Sequence, residues 1–337
     1  MHRRRFLADG TATLAAAAAA PAFAQPALTP ALAKVTFGTD WLAEAEHGGF
    51  YQAVATGLYR KHGLDVTIRM GGPQTNPSLQ VAGGVVDFQI SSDSFGALFM
   101  VEQSIPVQAI AAFFQKDPQV LISHPGTGSD TLAEMRGKPI MISVASRNGF
   151  WLFLKAKFGF TDAMIRPYTY SLAPFLADPT AIQQGFVSSE PYQIERAIGR
   201  PPIVNLLADN GYPSYSTVVL TKTQMIRERP QIVRAFIEAS IEGWASYMRD
   251  PAPGNVLIRR DNPDITQDTL DHSVAAMTQY GIVDSGDSKT LGLGAMTDAR
   301  WTSFFGTMVS AGLYKPSLDY RRAYTLEFVN RKYGLAP

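Results

Sequence analysis

Cysteine is absent from all 337 residues. That excludes disulfides, thiol nucleophiles and thiolate metal sites together. Histidine is sparse too: His2, His47, His62, His124 and His272 follow no metal-ligand spacing, so no metal is expected. There is no G-x-S-x-G elbow, no H-E-x-x-H helix and no Walker loop, the commonest sequence signs of hydrolase, metalloprotease and nucleotide chemistry. The chain is therefore expected not to be an enzyme and to carry no cofactor. Apart from the amino terminus, no apolar run reaches the roughly 18 residues that span a bilayer. An excess of one charge is also missing, with 30 basic against 29 acidic residues and a formal net charge of +1. A near-neutral surface argues against nucleic acid as partner.

The amino terminus carries a three-part pattern. Arg3-Arg4-Arg5-Phe6-Leu7 precedes an alanine-rich apolar stretch that ends in Pro21-Ala22-Phe23-Ala24. A charged region, an apolar region and a small-x-small end in that order read as an export signal over residues 1–24, with Gln25 as the first mature residue. Two arginines ahead of x-Phe-Leu fit the twin-arginine route, and ordinary secretory export fits as well. The first 24 residues hold three arginines against Asp9, which leaves the remainder at −1.

Residues 35–90 say most about the fold. Val35-Thr36-Phe37 and Val66-Thr67-Ile68 are short β-branched runs, and Phe50, Val54 and Leu58 recur between them at helical spacing. Strand, loop, helix and strand in succession make a βαβ unit. A second unit, with a strand at 64–68, a helix at 77–83 and a strand at 86–90, extends an open parallel sheet. Ligands of such sheets bind where loops leave the carboxyl ends of the strands. Those loops hold Asp40, Trp41 and His47, then Gly71-Gly72-Pro73-Gln74, then Ser91-Ser92-Asp93.

The motifs D-W, H-G-G-x-Y, G-L-D-V, G-G-P-Q-x-N-P and A-G-G-x-V-D-F stand here in one order. With Arg136-Gly137-Lys138-Pro139 and Ser189-Glu190-Pro191-Tyr192, the chain resembles the periplasmic solute-binding proteins of the thiamine-pyrimidine precursor, riboflavin and nitrate/sulfonate/taurine group. The resemblance implies a type II periplasmic binding fold of two α/β lobes, each a mostly parallel sheet flanked by helices, joined by a two-crossing hinge. It implies a small-molecule ligand, delivery to an ABC permease with its ATPase, and a freely diffusing periplasmic monomer. Family members carry a ligand-facing histidine at the position of His47, and related pyrimidine binders use a glutamate in the stretch of Glu190. The asparagine-rich loop usual before that histidine is replaced by Leu42-Ala43-Glu44-Ala45-Glu46, which removes amide donors and adds acid.

The same division follows from the order of elements. One lobe is expected to comprise residues 34–122 and 216–337, the other 123–215, the second beginning at the turn cluster His124-Pro125-Gly126-Thr127-Gly128. In the second lobe a strand is expected at 166–170, a helix at 179–184 and a strand at 186–189. After the return strand at 215–221, helices are expected at 230–248, 266–280, 298–311 and 320–332. A cleft that closes on a hinge buries a small ligand almost completely.

Candidate ligand contacts come from both lobes. Trp41 is placed to stack on a heterocycle or to fill the core. Asp40 either accepts ligand N–H groups or caps its turn. Gly48 and Gly49 beside His47 are expected to let a ligand approach the backbone. Ser92 and Asp93 occupy a strand's carboxyl end. Ser146, as helix N-cap, with Arg147 and Asn148 offers free N–H groups to an oxygen-bearing ligand. Glu190 is positioned to pair with an aminopyrimidine edge while Tyr192 stacks. The expected cargo is an aromatic nitrogen heterocycle such as a thiamine-pyrimidine precursor or a flavin-like molecule; a sulfonate-like organic anion, or a ligand-sensing role, are the alternatives. Amino-terminal sequencing of the exported protein is expected to begin at Gln25, and exported material that retains residues 1–24 would remove the signal reading.

Overall fold

The computed structural model describes residues 31–333, so the export-signal expectation lies outside the described residues. Two five-stranded sheets organise the chain. In the first, β1 (Ala33–Gly38) lies between β2 (Leu64–Arg69) and β3 (Phe88–Asp93), followed by β10 (Ser216–Lys222) and edge strand β4 (Val107–Phe114). In the second, β6 (Ile140–Ile142) lies between β7 (Ile165–Pro167) and β8 (Ile182–Phe186), followed by β5 (Gln119–Ser123) and edge strand β9 (Ile203–Leu206). The two orders are the same.

Both sheets are mixed rather than purely parallel. β1 runs parallel to β2 and β3, whereas β10 is antiparallel to β3 and β4. In the second lobe β6 is parallel to β7 and β8, and β5 is antiparallel to β8 and β9. Each reversed strand is the one that arrives from the other sheet. A strand entering across the cleft starts at the end where its neighbours finish, so it must run against them. The second sheet starts at Gln119, a few residues before the turn cluster that was expected to open it, because 119–123 is held on both sides by β8 and β9.

Several local expectations change. Residues 179–184 were expected to be helical, but Ile182–Phe186 is a strand and the helix lies upstream at Ala173–Ala177. Pairing on both edges, with β5 and β6, overrides the modest helical preference of Ala-Ile-Gln-Gln. The strand expected at 166–170 is Ile165–Pro167, since Pro167 removes the donor needed to continue the ladder. Residues 320–332 form one short 3-10 turn, Tyr320–Ala323, instead of a helix. There Thr325 N–H donates to Ala109 O at 2.9 Å, so the segment extends alongside β4 while Phe328 and Val329 are buried.

The first lobe is built round aromatic contacts. Phe236, on the helix Pro230–Tyr247, stacks on Phe88 with ring centroids 4.1 Å apart and planes at 8°. Phe50 lies edge-on to Trp244 at 5.9 Å. Such pairs contribute about 0.5–1.5 kcal/mol each beyond area burial. The helix Gly48–Ala55 reaches Trp244 and Tyr247 because its first two residues have no side chain. A Cβ on Gly48 would stand 2.1 Å from the Tyr247 ring, and one on Gly49 2.2 Å from the Trp244 ring. These glycines therefore serve helix packing, not the approach of a ligand to the backbone. Gly49→Ala is expected to destabilise the fold by about 1–3 kcal/mol through overpacking, read as a lowered urea midpoint with an unchanged slope; an unchanged midpoint would show that the contact is not close-packed.

Candidate functional site

The turn after β1 is fixed before any functional group is placed. Thr39, fully buried, donates its hydroxyl to Trp41 O at 2.7 Å and accepts Gly71 N–H at 2.9 Å. A Cβ on Gly71 would lie 2.4 Å from Thr39 O, so glycine there reflects close backbone approach. With its amide spent on Thr39, Gly71 is not free to cradle an anion. The turn directs Asp40 and Trp41 toward the second lobe.

Asp40, His47 and Ser92 converge. His47 Nε2 lies 3.1 Å from Asp40 Oδ1, and the Ser92 hydroxyl donates to Asp40 Oδ2. His47 is 3 % exposed and its Nδ1 is buried without a partner. A neutral ring that donates Nε2–H to Asp40 presents Nδ1 as an acceptor; a protonated ring presents a second donor. The carboxylate thereby selects the ring's orientation and leaves one nitrogen for another molecule.

Carboxylates from both lobes gather beside this triad. Glu46, in the single 3-10 turn Ala45–His47, is buried and accepts the hydroxyl of Ser188 from the second lobe. Glu190, at the start of the helix Glu190–Ile198, accepts Phe186 N–H at 2.8 Å and the Tyr168 hydroxyl at 3.0 Å. Burial, then the negative charges of Glu46, Asp40 and Glu190, raise Glu44 well above the usual carboxylate range. Burial also raises Glu46 and Glu190, against the hydrogen bonds that each accepts. Among the described residues no lysine or arginine forms an ion pair with Glu44, Glu46, Asp93 or Glu190.

Aromatic rings complete the cleft. Trp41, half-buried, meets Tyr170 of the second lobe at 4.9 Å with planes at 47°, and Tyr170 meets Tyr168 at 5.3 Å. Tyr170 adopts φ +63°, a conformation costly for a bulky residue and frequent at ligand clamps. Trp41 is thus not a core residue but one side of an interlobe contact.

Other candidates lie differently. Ser143, not Ser146, is the N-cap: its side chain accepts Ser146 N–H at the start of a one-turn helix, Val144–Arg147. The longer helix Phe150–Phe158 begins after Gly149. Gly149 brings second-lobe backbone close to Asp93, since a Cβ there would stand 3.8 Å from Asp93 Oδ2 and 3.7 Å from Ser146 O. Arg147 and Asn148 line a separate surface pocket with Lys155 and Asp162. Tyr192 stacks on His272 at 4.2 Å and accepts Arg196 Nη1–H at 3.1 Å, so it joins a seam between lobes and not the carboxylate group. Glu46, Ser188, Tyr168 and Tyr170 were missed as contacts; the alternation Glu44-Ala45-Glu46 was their only sequence signal.

The comparisons bear on the family and the fold. The family described as NMT1/THI5 like matches residues 44–253. The chain belongs to that family. It is 25 % identical over 331 residues to the riboflavin-binding protein RibY of Chloroflexus aurantiacus, covering 95 % of this chain and 92 % of that one. Its fold is that of the periplasmic aliphatic sulphonate-binding protein SsuA of Escherichia coli, at TM-score 0.64 and 12 % identity over 86 % of this chain and 91 % of SsuA. The desulfurization enzyme DSZB shares the fold too, at TM-score 0.56 and 12 % identity over 89 % of this chain and 98 % of that one. These likenesses establish the two-lobed binding-protein architecture. Among the described residues no helix is long and apolar enough to cross a membrane.

Asp93 gives the site a pH signature. Burial raises its carboxyl from 3.8 to about 6, against the Phe95 and Gly96 amides that it accepts and with Asp40 adding to the rise. The folded state therefore holds the proton more tightly than the unfolded chain. Stability from this group is fully present below the unfolded pKa and is lost as pH rises through about 6. Thermal midpoints are expected to fall between pH 4 and 6.5, and Asp93→Asn to flatten that slope; equal slopes for both proteins would deny Asp93 this role.

Proposed function

We propose that this protein is the solute-binding component of an ABC import system and that it captures a planar nitrogen heterocycle, of the thiamine-pyrimidine or flavin kind, between its lobes. The observation that carries the reading is the meeting of Trp41 and Tyr170 across a carboxylate-rich cleft. A flat ring offers a face to Trp41, Tyr168 and Tyr170, while its N–H edge supplies donors for Glu44, Glu46 and Glu190. His47 Nδ1, buried and unpartnered, supplies the complementary contact. Two lobes closing over such a molecule remove it from water, and hinge opening releases it to a permease. The likeness to a protein named for riboflavin binding supports the same class.

A sulfonate fits this cleft poorly. At an effective dielectric of about 20, an ionised carboxylate roughly 5 Å from an anion costs about 3 kcal/mol, and Glu46, Asp40 and Glu190 are near enough to one another here to raise the proton affinity of Glu44. Sulfonate-binding neighbours at 12 % identity speak to fold alone. No chemistry is needed of the site: with no cysteine in the chain, thiol attack is ruled out, and the residues at hand hold and release. Export to the periplasm, the work of residues 1–24, and a monomeric state belong to the same proposal.

Thermal-shift screening of heterocycles against alkanesulfonates is the first test, since a ligand at a hundred times its Kd stabilises by about 2.7 kcal/mol. With a heterocycle in hand, Trp41→Ala is expected to lose roughly 1–3 kcal/mol of affinity by calorimetry, and Trp41→Phe to keep most of it. Glu190→Gln is expected to bind at least about tenfold more weakly, or roughly 1.4 kcal/mol. Selective stabilisation by sulfonates, with heterocycles inert, would overturn the assignment.

A further inference from the structure

The two strands of chain that join the lobes are each held on both sides, and one arginine holds them together. The first crossing runs from β4 to β5. On the first-lobe side Gln115 N–H donates to Ile282 O at 2.7 Å, and its side-chain amide donates to Ala112 O and Ala295 O at 3.1 and 2.9 Å. On the second-lobe side Asp117 accepts Gln119 N–H at 2.9 Å and Pro118 O accepts Val187 N–H at 2.9 Å. The second crossing runs from β9 to β10. Its second-lobe side is held by Lys157, whose ammonium donates to Asn210 O at 2.7 Å.

Arg300, on the helix Asp298–Ser310, reaches both crossings from the first lobe. Its Nε–H donates to Pro213 O at 3.1 Å, and Nη2 donates to Ser214 O at 2.9 Å and to Gln115 O. The guanidinium also lies 4.2 Å over the Tyr215 ring. Tyr215 is itself fixed, donating to Asp287 at 2.6 Å and accepting Thr297 N–H at 2.9 Å. A planar fork of five donors suits several carbonyls at once, as an ammonium does not. Lys116 N–H also donates to Ile282 O at 3.2 Å, and the N–H groups of Gly211 and Tyr212 donate to Ala208 O and Leu207 O, each at 3.0 Å, so between the held ends only Lys116–Asp117 and Tyr212–Pro213 remain. Gly211 stands at φ +86°, a left-handed conformation that a residue without a Cβ adopts at little cost, and ends the second-lobe side of the crossing. Tyr212 is buried with its hydroxyl unpartnered, between Phe153 of the second lobe at 5.1 Å and Phe304 of the first at 6.3 Å.

We propose that Arg300 is the positioning residue of the hinge: by tying Gln115 O to Pro213 O and Ser214 O it confines lobe rotation to 116–117 and 212–213, so that both crossings turn about one axis. Arg300 touches no ligand-facing residue, and the proposal rests on the reading that the lobes open and close about a solute. Without the guanidinium each crossing keeps its own first-lobe bonds, and Lys116 keeps its 2.6 Å pair with Asp209, but the direct tie between Gln115 O and the carbonyls of Pro213 and Ser214 is lost, and the lobes sample more orientations that do not bring Glu46 to Ser188 or Trp41 to Tyr170.

The test needs no ligand. Because the chain has no cysteine, Gln74→Cys in the first lobe and Ala177→Cys in the second carry two unique spin labels on exposed positions. The interlobe distance distribution of the free protein is expected to broaden in Arg300→Met and to narrow partway back in Arg300→Lys, which restores the cation but fewer bonds. Should Arg300→Met fail to fold, Arg300→Lys must still be broader than the parent. Distributions equal to the parent in the folded variants, whatever their thermal midpoints, overturn the proposal and assign Arg300 a packing role. If the parent and every variant show one narrow distance that no screened solute moves, the lobe-closure reading itself fails instead.

Discussion

Burying carboxylates between two lobes is the constraint to which the rest of the cleft responds. Taking an unpaired carboxylate out of water costs several kcal/mol, and among the described residues no lysine or arginine forms an ion pair with these ones. Instead each is given hydrogen-bond donors. Asp40 has His47 and Ser92, Glu46 has Ser188, Glu190 has Phe186 N–H and Tyr168, and Asp93 has Phe95 N–H. Glu44 has no donor among the described residues, and it is the group whose proton affinity rises most clearly with its neighbours' charge.

The interlobe contacts combine short polar pairs with single aromatic pairs. Ser188 reaches Glu46, Ser273 donates to Ser188 O at 2.8 Å, and Trp41 meets Tyr170 with planes tilted, not stacked. Contacts of this sort can be made and broken at low cost, as opening requires. The extensive aromatic packing lies elsewhere, in the first lobe, where Phe50, Phe88, Phe236 and Trp244 fix the loops that carry Asp40 and His47. A rigid lobe and a loosely sealed cleft are complementary properties of one binding device.

Much of the fold was legible because periodicity is local. Alternating β-branched runs and helical apolar spacing marked β1 through β4, the return strand β10 and the long helices of the carboxyl-terminal half. Failures came where a partner strand decided the matter. Gln183 and Gln184 read as helix until β5 and β6 paired with their strand, and residues 320–332 read as helix until Ala109 drew Thr325 into extended backbone. Of the candidate site, Asp40, Ser92 and Asp93 were read from their place at strand ends, and His47 and Glu190 with the help of the family resemblance. Arg147 and Asn148, read from a helix start, line a pocket with Lys155 and Asp162, and Tyr192, read from its neighbour Glu190, stacks on His272.

By itself the sequence determined the fold class, the alternation of strand and helix, the absence of thiol chemistry and the concentration of acid in Leu42-Ala43-Glu44-Ala45-Glu46. Each of these is a property of neighbours in the chain, set by spacing or by composition. Only the tertiary structure decided that Gly48 and Gly49 serve Trp244 and Tyr247, that Glu46 answers to Ser188, that Trp41 faces Tyr170, and that Arg300 ties the two crossings together. Those pairs lie far apart in sequence, and side-chain direction across a cleft depends on how two independently twisted sheets are set against one another, which no local pattern encodes.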